Sequence, residues 1–469
     1  MTRTIAIAAL AVRAVTRSHL FITLATILLL VIFALPLAIK GDGTVAGQMR
    51  ILLYYTLGLA SIILGVTTLW TSCASISHEI DEKQIQLSVA KPVHRYQIWL
   101  GKWIGILVVN AVLLAITGVA VYSYVRHYAG SPDLGAKDRA ALRNELLIGR
   151  RLIAPVAEPV DLDVRERLAR LKLEGKLTPG MTEAEAFAQV KKTVLIEQSV
   201  VTPGQSKRWT FQMTPSRRIT PGKAPVSSGE AGEPAVTIHF SFASTFHDRK
   251  RITGTWIVAK EDGTETFRFE MKGWPDGEHA FFVPESAVPA GPVTVTFTNA
   301  ERSQSNTAVF DSEKPIQILK HESSFELNLI RSLIVILCQL GLVAAIGLTG
   351  GSLFSFPVAT FAAMSVLIIS LAGHYFIFTS SSWKYGGEKT GTVTETVLRA
   401  TSEKVVKHME IVIAPAMELA PLSPLSDGIL LSPWFTGKAI LLLMILYPGF
   451  FWLVGSFCLN RRELALPTI

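Results

Sequence analysis

The stretch 103–124 reads Trp103-Ile104-Gly105-Ile106-Leu107-Val108-Val109-Asn110-Ala111-Val112-Leu113-Leu114-Ala115-Ile116-Thr117-Gly118-Val119-Ala120-Val121-Tyr122-Ser123-Tyr124. It carries no charged side chain. An α-helix rises about 1.5 Å per residue and a bilayer core is about 30 Å thick, so about 20 apolar residues span it. The stretch reads as a membrane-spanning helix. Five more runs of this kind flank it, at 20–39, 51–74, 329–349, 356–378 and 438–459. The first is too long and begins too far from Met1 for a signal-peptide core, and no small-residue cleavage site follows it.

Composition agrees. The chain has 469 residues, 49% hydrophobic and only 17% charged, against about 25% charged in soluble domains. Its net charge of +8 is placed as topology requires. Arg3, Arg13 and Arg17 precede the first run; Lys83, Lys91, Arg95 and Lys102 lie between the second and third; Arg461 and Arg462 follow the last. Short basic loops stay on the cytoplasmic side. Six crossings then put both termini in the cytoplasm of a prokaryotic inner membrane, with residues 126–326 and the loop 379–437 outside. This distribution is not a nucleic-acid patch. Cys73, Cys338 and Cys458 all lie in or beside apolar runs, so no disulfide framework holds the polar middle.

The expected spans have almost no ionisable interior. Arg331 and His374 sit near ends, and Asn110 and Gln339 are the deeper polar residues. Ion-coupled carriers and pumps place Asp, Glu, His or Arg on the pathway, and membrane proteases and transferases need catalytic polar groups. Neither set is visible, so an enzyme is not expected, and energy for transport has to enter from another subunit. The chain itself lacks a phosphate loop: Gly101-Lys102 and Gly437-Lys438 have neither the upstream glycine nor the following hydroxyl residue.

The middle of the chain reads as a separate module. Residues 138–151, 160–173 and 182–197 have helical patterning, with Thr182 and Glu185 as a capping box on the third. Pro179-Gly180 and Pro203-Gly204 punctuate the stretch. Beyond Gly204 the period becomes two: Val236, Ile238, Phe240 and Phe242; Phe267, Phe269 and Met271; Val293, Val295 and Phe297. Glu261-Asp262-Gly263 between two such runs is a hairpin signal. Seven or eight strands in a sandwich are expected. Arg208, Arg217, Arg218 and Lys223 form a basic stretch, read as a solvated loop with an anionic ligand as the sharper alternative. His239, His247 and His279 lack metal-ligand spacing.

The segment that points to function is Ile76-Ser77-His78-Glu79-Ile80-Asp81-Glu82-Lys83-Gln84-Ile85-Gln86-Leu87-Ser88-Val89-Ala90-Lys91-Pro92-Val93-His94-Arg95. A short charged helix over 76–90 precedes a break at Lys91-Pro92, and a second amphipathic run enters the third span. Ile80, Ile85, Leu87 and Val89 are suited to press on a partner, and Glu79, Asp81, Glu82 and Lys83 to face water or a charged surface.

This order of residues, with Gly101-Lys102 opening the next helix, resembles the ABC-2 type permeases, especially the branch with the gliding-motility and copper-site-maturation permeases. The family commonly has a Gly-Thr or similar pair where this chain has Lys83-Gln84. The resemblance implies a coupling helix that docks onto an ATPase subunit, with Glu79, Asp81, Glu82, Lys83, Ile85 and Leu87 as contacts and Lys91, Pro92 and Arg95 fixing the turn. It implies two cytoplasmic ABC ATPase subunits, a second permease that is identical or related, and no cofactor or metal of the chain's own. It further implies short re-entrant helices in the loop around 409–434. A partner bound by the outer domain is the alternative route to function.

The expected fold is therefore a membrane all-α bundle of six transmembrane helices with an extracytoplasmic α+β insertion ending in a β-sandwich-like module. The expected parts are 1–125 with the first three spans, 126–203 helical, 204–326 β-rich, and 327–469 with the last three spans.

Overall fold

The computed structural model of the chain describes residues 2–38, 44–82, 94–132, 134–135, 138–139, 142, 146–156, 159–174, 183–214, 235–244, 251–275, 277–300, 307–311, 316–365, 368 and 419–461. It divides into two compact units. One comprises Met1–Leu134, Phe325–Asp427 and Leu431–Ile469, the other Gly135–Ser324 with Gly428–Leu430.

The first unit is helical: α1 (Thr2–Arg17), α2 (His19–Ala38), α3 (Val45–Asp81), α4 (Arg95–Ala129) and, after the second unit in sequence, α7 (Phe325–Leu353). A shorter apolar helix α8 (Phe356–Ser365) follows. Then come α9 (Leu422–Ser426), α10 (Pro433–Ala439), a π-helical segment Ile440–Leu446 and α11 (Tyr447–Arg461). Among the described residues, five helices are long and apolar enough to cross a membrane. They match the first four expected spans and the sixth. The fifth expected span is described as a helix only over Phe356–Ser365, and His374 and most of the following loop lie outside the described residues.

Local chemistry explains the helix ends. Thr44 Oγ1 accepts from Gly47 N at 3.1 Å and caps α3. Ser432 Oγ accepts from Phe435 N at 3.1 Å, with Pro433 in the first turn, so the last span begins at Pro433 rather than at the expected 438. In the π-helical segment the Tyr447 N–H reaches Leu442 O, five residues back. Pro448, with no N–H and a ring that crowds the carbonyl four residues back, accounts for the widened turn before it.

Small residues let the helices approach. Gly101 and Gly105 of α4 face α1, and a Cβ on Gly105 would lie 2.7 Å from both Ala11 Cβ and Ala8 O. Gly347 and Gly351 of α7 face α3, where a Cβ on Gly351 would lie 2.6 Å from Cys73 O. Such close backbones gain dispersion where water supplies no driving force. Trp103 Nε1 donates to Gly341 O at 2.9 Å, and Asn110 Nδ2 donates to Thr68 Oγ1 at 2.8 Å. These bonds satisfy the Trp103 and Asn110 side chains of α4. Gln339 Nε2 likewise reaches Leu419 O, and Arg331 Nη1 donates to Leu431 O at 3.0 Å.

The second unit joins a helical pair to two antiparallel sheets. The pair is α5 (Asp161–Leu173) and α6 (Glu183–Ser199), closed over Val164, Leu168, Ala186, Val190 and Val194. These correspond to the second and third expected helices; Thr182 lies outside the described residues, so the capping box does too. The first expected helix, 138–151, is corrected at its end: Ile148–Ile153 is strand β1. It pairs with a strand that follows far along the chain, which local patterning over 138–151 does not reveal.

The strands are β1, β2 (Val200–Val201), β3 (Ser206–Met213), β4 (Ala235–Ser244), β5 (Ile252–Lys260), β6 (Glu265–Gly273), β7 (Glu278–Pro284), β8 (Gly291–Asn299), β9 (Ala308–Phe310) and β10 (Ile316–Ser324). Among the described residues β3 to β10, eight strands, follow Gly204 and β1 and β2 precede it. One sheet runs β1-β10-β4-β9-β2 with β7 on β4, the other β3-β8-β5-β6. Register sets alternate residues inward: Val236, Ile238, Phe240 and Phe242 meet Trp256, Val258, Val293, Val295 and Phe297 in one buried cluster. Trp256, with centroids 4.3 Å from Phe240 and 4.9 Å from Phe297, is its centre. Gly254 leaves room for the Phe297 ring. The β5–β6 hairpin turns at Gly263, φ +80°, with Asp262 Oδ1 accepting from Thr264 N at 2.9 Å. Gly428–Leu430 adds a short strap: Arg150 N donates to Gly428 O and Leu430 N to Arg150 O, both at 2.8 Å.

Candidate functional site

The expected lever begins inside α3. Residues 76–81 continue that helix to Asp81, so they are not the separate short helix that sequence suggests. The hydrophobic pattern of the span continues past Ala74 into Ile76, which is buried with Trp99, Ile106, Ala344, Leu348 and Leu459. Ser77 Oγ donates to Gly351 O at 3.2 Å and ties this turn to α7. Glu82 caps the helix end, its N–H reaching His78 O and Ile80 O.

Glu79 points back into the protein. Its Oε1 lies 2.7 Å from Lys102 Nζ, with the lysine side chain only 6% exposed. Lys102 Nζ also donates to Ser75 Oγ at 3.1 Å and to Ser75 O. An ammonium has three donors, and here they meet three acceptors. Burying such a charge unpaired costs several kcal/mol, so the lysine holds its position only because α3 supplies all three partners. Asp81 and Glu82 are exposed.

The start of α4 is tied in the same way. Arg95 Nη1 donates to Leu459 O at the end of α11, and Trp452 Nε1 donates to Tyr96 O at 3.3 Å. Trp99 and Trp103 stack at 6.4 Å, and Gly455 leaves space for the Trp99 ring. On the α3 side, the His78 and Phe356 rings lie 4.8 Å apart. The ends of α3, α4, α7 and α11 are therefore joined at one place.

Of the residues named from sequence, Glu79, Asp81, Glu82 and Arg95 are described there. Lys83, Ile85, Leu87, Lys91 and Pro92 lie outside the described residues. In sequence Lys102 is a topology charge and, with Gly101, opens the next helix; its pairing is not visible there. Its signal is its place near the start of an apolar helix, on the far side of residues 83–93 from Glu79. In the β-rich unit Arg208 lies on β3, whereas Arg217, Arg218 and Lys223 lie outside the described residues. His279 Nε2 is 2.8 Å from Trp274 O, and no metal-binding group occurs among the described residues.

A long-helix bundle with one braced helix-end cluster defines a multi-pass membrane protein. Residues 5–148 match the family described as ABC-2 family transporter protein, so that stretch is similar to the ABC-2 type permeases. No curated protein and no solved structure matches the chain.

Proposed function

We propose that this chain is the permease of an ATP-driven ABC-2 type exporter of a prokaryotic inner membrane. Both termini and residues 83–93 face the cytoplasm, and the β-rich unit faces outward. Two permeases, identical or related, work with two ATPase subunits. The observation that carries the reading is the brace just described. A segment that joins helix ends tied to each other moves several spans when it is pushed. Asp81, Glu82, Lys83, Ile85 and Leu87 make the ATPase contact, with Lys91 and Pro92 shaping the turn.

The test is co-purification with a phosphate-loop ABC ATPase co-expressed with the chain. Leu87→Asp combined with Asp81→Lys is expected to lower retained ATPase by more than about tenfold, since a charge forced into an apolar contact costs more than 1.4 kcal/mol. Membrane insertion stays normal. Undiminished retention rejects the docking assignment. The second reading is an anchored interaction protein whose outer module binds an envelope partner. It is favoured by the module's own large aromatic core, and by retained partner binding where no flux accompanies ATP hydrolysis.

A further inference from the structure

We propose that Lys102 is a positioning residue of energy coupling and that Glu79 serves it rather than the ATPase. This rests on the permease reading above. Lys102 belongs to the first turns of α4, yet its ammonium is committed entirely to α3, through Ser75 Oγ at 3.1 Å, Ser75 O and Glu79 Oε1 at 2.7 Å. The residue before it, Gly101, faces α1, where an added Cβ would lie 2.8 Å from Ile7 Cβ. The same short stretch of α4 is thus pinned on two sides.

The consequence concerns how force enters. Residues 83–93 join Glu82, just past the end of α3, to His94, just before α4. With Lys102 in place, the two stems of this segment are clamped near its base. A push on the loop then displaces α3 and α4 together. Without the clamp the same push only separates the stems, and the ATPase docks without passing on its motion. Glu79 Oε1 is engaged by the lysine, and a Glu79 drawn wholly onto the ATPase would leave that ammonium buried beside neutral oxygens alone. The geometry therefore sets Glu79, paired with Lys102 in the clamp, apart from the exposed Asp81 and Glu82.

The experiment uses the full chain with its ATPase in nanodiscs and compares wild type, Lys102→Gln, Glu79→Gln and the double variant. The amount of retained ATPase, KM for ATP and permease-stimulated kcat are measured. A clamp predicts retention and KM as in wild type and a fall of about tenfold in kcat for each single variant. The double variant falls no further, because both changes break one interaction. Should Lys102→Gln fail to insert, Glu79→Gln decides alone, since that side chain is partly exposed. Weakened retention with Glu79→Gln but not Lys102→Gln returns Glu79 to the docking surface and overturns the clamp. Wild-type kcat in every variant overturns it as well. If the wild-type chain retains no ATPase, the permease reading fails first and the clamp with it.

Discussion

His321 on β10 is half-buried, and its Nε2 lies 3.1 Å from Ser323 O. A carbonyl only accepts, so this contact places the proton on Nε2 of the neutral ring. Burial lowers its affinity for a second proton, against smaller opposing effects from the Ser323 carbonyl and Glu285. The folded pKa lies below the ordinary 6.5, so the unfolded chain binds the proton better. The contribution to stability is complete above pH 6.5 and is lost as pH falls through 6.5 toward the depressed folded value. Thermal melts of the β-rich unit within the full chain are expected to drop between pH 7 and 5, and His321→Gln to flatten that slope. A slope unchanged by the substitution refutes the assignment. Asp161, Glu183 and Glu197, held below the usual carboxylate range by bonds from Lys191, Lys172 and Arg167, act only at more acid pH. At this scale sequence was a weak guide. Glu79 and Lys102 were visible as charges, but their pairing depends on two helix ends converging across a loop.

At the scale of elements, the Gly351 and Gly65 positions make a controlled pair. Both are helical glycines, and replacing glycine by alanine in a helix ordinarily gains about 0.5–1 kcal/mol. A Cβ at Gly65 meets nothing within 4 Å, whereas at Gly351 it runs into the Cys73 backbone. Gly65→Ala is expected to raise the thermal midpoint in detergent slightly, and Gly351→Ala to lower it through overpacking of about 1–3 kcal/mol. Equal effects would remove the close α3–α7 approach from the account. The long helices were legible because hydropathy alone specifies a span. The β5–β6 hairpin was legible because Asp262-Gly263 fits its turn. Helix α1 was not, since its buried face is made of Ala8, Ala11 and Val15 rather than large apolar residues. Its partner signal, Gly101 and Gly105, sits far along the chain. The strand β1 was hidden for a related reason: Arg150 is buried in it, against the usual rule for arginine.

For the molecule as a whole, the proposed orientation has a direct check. In a chain with Cys73, Cys338 and Cys458 replaced, a cysteine placed at Glu261 in the β5–β6 turn is expected to react with an impermeant maleimide in intact cells. One at Glu82 reacts only after the membrane is opened. Reaction of both from outside would refute both the topology and the coupling role of 76–102. The division into a helical and a β-rich part was readable from the change in period near Gly204. The contribution of Gly428–Leu430 was not, because three residues in a proline-broken loop carry no strand pattern of their own.

That strap makes the β-rich unit discontinuous in the gene. A graft of 135–324 alone into another protein would leave behind both backbone bonds that Arg150 makes to Gly428 and Leu430. Shuffling of this unit between relatives, in nature or in the laboratory, therefore has to exchange two separated pieces of coding sequence together.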